Sequence, residues 1–164
     1  FIKSVMEEIH LDIKIEQYAM EELSDSEQEL VRSAIKAMHN AYANYSRFYV
    51  GAALRLANGQ IVIGANQENA AFPSGLCAER SAIFAAQSQQ PEQPITTLAI
   101  AASNDEGLLK DPITPCGACR QVILEMEDRY KRPVRILLFG ARAVYAVNSV
   151  KDLLPLSFVD ANMR

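Results

Sequence analysis

YVGAALRLANGQIVIGAN, residues 49–66, reads as two β-type runs folded back on each other. Residues 49–57 and 60–66 are apolar and strand-like, and Asn58-Gly59 between them favours the positive φ values of a two-residue type I′ turn, so the stretch predicts a hairpin. Upstream, Ser24-Asp25-Ser26-Glu27 is a capping-box pattern, and Leu30, Ala34, Ala37, Met38 and Ala41 recur at helical spacing to about Ala43. Earlier still, Ile9, Leu11, Ile13 and Ile15 alternate with polar residues, the pattern of a half-buried strand. Downstream, 77–88 is helical, 97–103 (TLAIAAS) is a buried strand, and 104–115, with Gly, Asp and two prolines, is a loop. A second helix fits 116–130. Strands follow at 134–139 and 143–147 around Gly140, and a short helix runs from near Ser149 to Pro155.

Strands that alternate with helices imply a mixed sheet covered on both faces. The expected fold class is therefore α/β, a three-layer α/β/α sandwich. The sequence shows no internal repeat and no linker long enough to separate domains. It divides into an N-terminal extension over 1–23, expected to add a strand packed on the domain, and a single domain over 24–164.

A chain of 164 residues, 49% hydrophobic, can bury one full core. A net charge of −4 argues against a nucleic-acid partner, because binding phosphates needs clustered Lys and Arg, and Arg129-Tyr130-Lys131-Arg132 is brief and isolated. No apolar run approaches the roughly 20 residues of a membrane span, so no membrane partner is expected. Three cysteines do not make a complete disulfide framework, and with no signal-peptide pattern at the N-terminus, reduced thiols in the cytoplasm are expected.

Those cysteines carry the chemistry. Cys77-Ala78-Glu79-Arg80 and Pro115-Cys116-Gly117-Ala118-Cys119 each fall where a helix is expected to start. Unpaired N–H groups and the positive dipole end at a helix start stabilise thiolates, the form that binds metal. Three thiolate ligands on Zn²⁺ leave one tetrahedral position for water, as a catalytic site requires, and neither His10 nor His39 lies at ligand spacing. Glu79 is free to move protons beside such a water. Arg80 is placed to hydrogen-bond a ligand sulfur and offset the negative charge of the cluster. Cys116-x-x-Cys119 alone also fits a redox pair, and Cys77 a buried small hydrophobe with an incidental Glu79.

Taken together, these blocks resemble the cytidine deaminase family, in its small, homotetrameric, three-cysteine zinc branch. The resemblance runs from about residue 24 to 158. It rests on Phe48-Tyr49-Val50-Gly51-Ala52-Ala53, Gly64-Ala65-Asn66-Gln67-Glu68-Asn69-Ala70, Cys77-Ala78-Glu79-Arg80, Pro115-Cys116-Gly117-Ala118-Cys119-Arg120-Gln121 and Leu153-Leu154-Pro155-Leu156-Ser157-Phe158. It implies a cytidine deaminase-like fold and one zinc per chain on Cys77, Cys116 and Cys119, with Glu79 catalytic. It also implies hydrolytic deamination of free cytidine and deoxycytidine in pyrimidine salvage. Asn66 and Glu68 match residues that hydrogen-bond the ribose; read from the residues alone, they are better explained as a strand end satisfying its own turn, and it is the resemblance that favours the sugar. Phe48 matches an aromatic against the pyrimidine ring, backbone groups around Ala78 match contacts to its amide edge, and Phe158 matches a residue that reaches into a neighbouring subunit's site. Phe72 stands where the family usually has Tyr, and Tyr49 where Pro is common. Two other functions compete: a deaminase of another aminated pyrimidine such as blasticidin S, and a non-catalytic zinc or redox module.

Overall fold

The computed structural model describes residues 5–164. In chain order the elements are strand β1 (Glu16–Tyr18), helix α1 (Asp25–Ala37), strands β2 (Tyr49–Leu56) and β3 (Ile61–Ala65), helix α2 (Ala78–Gln89), strands β4 (Ile95–Asn104) and β5 (Gly107–Leu108), helix α3 (Gly117–Tyr130), and strands β6 (Arg135–Phe139) and β7 (Val144–Val147). They form one sheet in the order β1-β7-β6-β4-β2-β3, with β5 paired to β4. The β4–β6 pair is parallel and the others are antiparallel, so the sheet is mixed as expected.

The side-chain alternation of the strands sorts the core into two layers. On one face Ala53, Ala99, Ala101, Leu137 and Ala146 pack under Leu30, Val31 and Ala34 of α1. On the other, Ala52, Leu54, Leu98, Ile100, Ile136 and Leu138 pack under Ala82 and Ile83 of α2 and Ile123 and Leu124 of α3. The result is the expected α/β/α sandwich.

Several local expectations need correction. The stretch over 9–15 is not a strand; it has no regular structure, and the sheet begins only at Glu16, while residues 1–4 of the extension lie outside the described ones. Alternation supplied the pattern, but β7 ends at Val147, opposite Ile15, and offers nothing for earlier residues to pair with. The hairpin is present, but its turn is not type I′. Gly59 N–H donates to Leu56 O at 2.8 Å, Leu56 N–H donates to Gln60 O at 2.9 Å, and only Gly59 has positive φ, at 90°. This is a three-residue loop closed by a glycine bulge. Helix α1 stops at Ala37 and tightens into a 3₁₀ turn over Met38–Asn40 instead of reaching Ala43. Its N-cap follows the sequence: Ser24 Oγ accepts from Glu27 N–H at 3.2 Å.

Two glycines let helices approach the sheet. A Cβ on Gly64 of β3 would stand 2.5 Å from both Ala78 O and Ala82 N, so its absence lets the first turn of α2 lie directly on the strand. Gly51 of β2 does the same for α1, where a Cβ would meet Ala34 O at 2.0 Å. Gly64 thereby fixes where Cys77 and Glu79 stand.

Candidate active site

Cys77 is the N-cap of α2 and Cys116 the N-cap of α3, each with extended backbone, and Cys119 lies in the first turn of α3. The two helices start side by side at one end of the sheet, so all three sulfurs lie within 4.8 Å of one another. Tetrahedral zinc with Zn–S bonds of about 2.3 Å needs sulfurs about 3.8 Å apart. The Cys77 and Cys116 sulfurs are 3.8 Å apart. Cys119 is buried, Cys77 partly so, and Cys116 exposed, which leaves the cluster open on one side. This donor set fits zinc.

The electrostatics favour a thiolate before any metal arrives. The Cys77 thiol is held down to about 5, chiefly by its hydrogen bond with Cys119, with Arg80 and Cys116 adding to the effect against the cost of burial. Cys119, on the other side of that bond and buried, is pushed up. Arg80 Nη2 donates to Cys77 Sγ at 3.4 Å, and its buried Nε has no partner among the described residues. Burial pushes the Glu79 carboxyl up, and its Oε2 lies 3.7 Å from Cys119 Sγ. At 4% exposure, Glu79 is one of two buried charged residues among those described, and the other, Glu127, lies elsewhere.

Two adjoining hollows meet at the cysteines. One of 280 Å³ is lined by Phe48, Val50, Ala78, Glu79, Ile113 and Cys116. One of 540 Å³ is lined by Tyr45, Phe72, Leu76 and Arg80. Both touch Ser46, Asn66, Glu68 and Cys77, so they make one cleft. A hollow of 580 Å³ at the C-terminal end of α3 touches none of the cysteines.

Most of the expected site residues line this cleft, and two of them have local duties. Asn66 Oδ1 accepts from Val50 N–H at 2.9 Å and its Nδ2 donates to Phe48 O at 2.9 Å, continuing the β2–β3 ladder one step past β3. Glu68 Oε1 accepts from the N–H groups of Tyr45 and Ser46 at 2.9 and 3.0 Å, and Oε2 accepts from the Ser46 hydroxyl. Those bonds, the Ser46 hydroxyl first, hold the Glu68 carboxyl below the usual carboxylate range. Phe158 is the exception. It is 57% exposed, it does not line the cleft of its own chain, and its carbonyl accepts from Gln121 Nε2 at 2.9 Å. Phe72, 76% exposed, stacks edge-on to Tyr45 with ring centroids 6.0 Å apart.

Sequence reasoning missed Ser46, which bonds both Glu68 and Phe48 N–H, and the pair Arg47 Nε–Asp105 Oδ2 at 2.6 Å that ties this loop to the turn after β4. A faint signal existed for the first. Ser46 stands two residues before Phe48, the spacing of a serine turn.

The chain matches the family described as "Cytidine and deoxycytidylate deaminase zinc-binding region" over residues 24–133. It is 38% identical to a cytidine deaminase of Halalkalibacterium halodurans over 137 residues, 84% of this chain and 97% of that one. It is 43% identical to a cytidine deaminase of Sporosarcina psychrophila over 126 residues, 77% of this chain and 80% of that one. Among solved structures it resembles the cytidine deaminase of Burkholderia pseudomallei, with a TM-score of 0.69 and 37% identity over 79% of this chain and 97% of that one.

Proposed function

The chain belongs to the cytidine and deoxycytidylate deaminase family, and from that premise we propose that it hydrolyses free cytidine and deoxycytidine to uridine and deoxyuridine, releasing ammonia. One observation carries the reading: a buried carboxylate, Glu79, beside a three-sulfur cluster at the floor of an open cleft. A non-catalytic zinc module has no use for that carboxylate, and its burial costs stability unless it works.

Cys77, Cys116 and Cys119 hold the zinc, which when bound supplies a Lewis acid that lets a water lose its proton near neutral pH. Glu79 accepts that proton and delivers it to ring N3, which leaves C4 electron-poor and open to hydroxide. Once the C4–O bond has formed, Glu79 takes the proton of the new hydroxyl and passes it to the amino group. The C–N bond breaks, ammonia leaves, and a C4 carbonyl with a protonated N3 remains. Burial suits Glu79 to this work, because a raised pKa brings a carboxyl closer to the groups it must protonate. Phe48 walls the base, and the backbone at Ala78 faces its amide edge.

Asn66 and Glu68 reach the sugar with the acceptor and donor capacity their backbone bonds leave over. A free nucleoside suits the cleft better than a nucleotide. Arg80, the one Lys or Arg lining the cleft among the described residues, already donates to Cys77, and Arg47 beside Ser46 pairs with Asp105, so the cleft has no cluster of cations for a phosphate. We further propose a homotetramer in which Phe158, exposed here, completes a neighbouring subunit's cleft, and a place in the cytoplasm, where three free thiols persist. No helix among the described residues is long and apolar enough to cross a membrane.

The test is ammonia release by zinc-loaded protein offered cytidine, deoxycytidine, deoxycytidylate and blasticidin S in parallel. Turnover of the two nucleosides well above the other two supports the reading. Zinc-loaded protein inert toward both nucleosides overturns it.

A further inference from the structure

Residues 5–15 pose a physical problem that the fold does not solve. Ile9, Leu11, Ile13 and Ile15 alternate with polar residues along a segment without regular structure, and their exposures are 82%, 53%, 45% and 52%. In β1, Gln17 is exposed while Glu16 and Tyr18 are partly buried, and were the segment extended the four aliphatic residues would share the face of Gln17. Burying such a stripe is favourable, and single domains rarely leave one open unless something covers it. Nothing among the described residues covers it. Strand β1 pairs with β7 in the register Glu16↔Ala146, Gln17↔Tyr145, Tyr18↔Val144, and β7 ends at Val147. Just beyond that end, Asn148 Nδ2 donates to Glu16 Oε1 at 3.2 Å, closing the corner. The arm thus has a strand's side-chain pattern, no strand partner among the described residues, and an open sheet edge at its base, the configuration that invites pairing with another chain.

The charges on the polar face indicate which chain. In an antiparallel pair of identical arms related by a two-fold axis, opposed residue numbers add to a constant. If the axis passes through Leu11, Glu8 faces Lys14, His10 faces Asp12, Ile9 faces Ile13, and Leu11 faces itself. Within 8–14 every polar residue then meets a complementary one and every apolar residue meets an apolar one, while outside that span Ile15 faces Glu7 and Met6 faces Glu16. If the axis passes through Asp12, the apolar residues still match, Ile9 with Ile15 and Leu11 with Ile13, but Asp12 faces itself and Glu8 faces Glu16, so two pairs of like charges are directly opposed. In the Leu11 register Met6 lies opposite Glu16, so each arm also runs along the open edge of the other copy's β1 and the two sheets join across the axis.

We propose that residues 8–14 form an antiparallel strand pair with the same residues of a second copy of this chain, about a two-fold axis through Leu11. The eight aliphatic side chains from Ile9, Leu11, Ile13 and Ile15 of the two copies then make one continuous apolar stripe on a joined sheet. The pairing is independent of the deaminase reading, since no arm residue touches the cleft.

Cross-linking tests it directly. Zinc-loaded Leu11→Cys protein, gently oxidised, is expected to run largely as a covalent dimer without reductant, because the two cysteines face each other across the axis. Ile15→Cys, which faces Glu7, is expected to give several-fold less. Glu8→Lys in the Leu11→Cys background is expected to abolish most of the cross-link, and Glu8→Lys with Lys14→Glu to restore it. Retained deaminase activity in each variant shows that the domain is folded. Cross-linking of Leu11→Cys no greater than that of Ile15→Cys, or indifferent to the charge exchange, overturns the register and the proposal with it. Absent cross-linking accompanied by binding to phosphatidylcholine vesicles overturns it in favour of a lipid surface.

Discussion

The guanidinium of Arg80 reaches the sulfur of Cys77 at 3.4 Å, one helical turn further along α2. Helix geometry makes that contact natural, since residues three apart share a face. Three thiolates on one divalent ion leave a net negative cluster, and a fixed cation at one sulfur lowers the cost of that charge. Arg80→Gln is therefore expected to weaken zinc binding by about 10–100-fold, the usual scale for losing a partner of a metal ligand. Competition against a chromophoric chelator measures this. Unchanged affinity would mean that the contact only packs the helix.

Glu79 is placed to handle every proton in the proposed reaction, and it stands outside the three-sulfur cluster. Glu79→Gln keeps the shape of the side chain and removes the titratable group. The variant is expected to bind zinc normally while kcat falls by at least about 10²–10⁴-fold, the range for losing one general acid–base group. Metal analysis and turnover on the same sample separate the two effects. Loss of zinc along with activity would instead make Glu79 part of the metal site.

How much of this was legible beforehand depends on whether a signal is local. The cysteines stood out because helix starts are written in nearby residues, and Cys77 and Cys116 are indeed both N-caps. The hairpin was legible for the same reason, though its turn type was not, because Asn58-Gly59 fits two loops and Gly59 alone takes positive φ. The strand over 9–15 failed because alternation specifies a face and not a partner, and here the partner strand ends at Val147. The destinations of Asn66 and Glu68 were hidden for a related reason. Their bonds run to residues 16 to 23 positions away, and nothing in the local sequence names those carbonyls and amides.

Glu127 illustrates a duty no motif announces. Buried at the end of α3, its Oε2 accepts from Val134 N–H at 3.0 Å and Val150 N–H at 2.9 Å, and its Oε1 accepts from Ser149 Oγ at 2.7 Å. It pins the entry to β6 and the chain after β7 to one helix. Glu127→Ala orphans two buried amides and is expected to cost about 2–4 kcal/mol, from the penalty of unsatisfied buried donors. Chemical denaturation reads the loss. The kcat of the protein that remains folded should be unchanged, and a fall in kcat without loss of stability would contradict a purely structural role.

Gly64→Ala tests how the sheet fixes the site. The new methyl would lie 2.5 Å from Ala78 O and from Ala82 N, backbone atoms that cannot rotate away. Helix α2 must lift, and Cys77 and Glu79 move with it. Overpacking of this kind costs about 1–3 kcal/mol, which for a chain of this size lowers the melting temperature by roughly 3–10 °C. Zinc affinity should fall as well, since the three sulfurs no longer converge. Gly59→Ala, in the hairpin turn with nothing within 4 Å of its Cβ, is the control: strained by its φ of 90°, it should destabilise without touching zinc affinity.

Glu68 supplies a pH prediction with a definite sign. The Ser46 hydroxyl, then the Ser46 and Tyr45 amides, hold its carboxyl below the ordinary range in the folded chain. A depressed folded pKa means that its hold on residues 45 and 46 is fully present above the ordinary glutamate pKa, about 4.3, and is lost as pH falls through the lowered value. The amide resonances of Tyr45 and Ser46, followed by NMR, should therefore stay fixed through that ordinary range and shift together only below it. Ser46→Ala removes the largest cause, so the same inflection should move up toward the ordinary value, and KM for cytidine should rise as the loop carrying Phe48 loosens. An inflection at the ordinary glutamate value in both proteins would show that Ser46 does not hold Glu68, and that the loop is set by Arg47 and Asp105 instead.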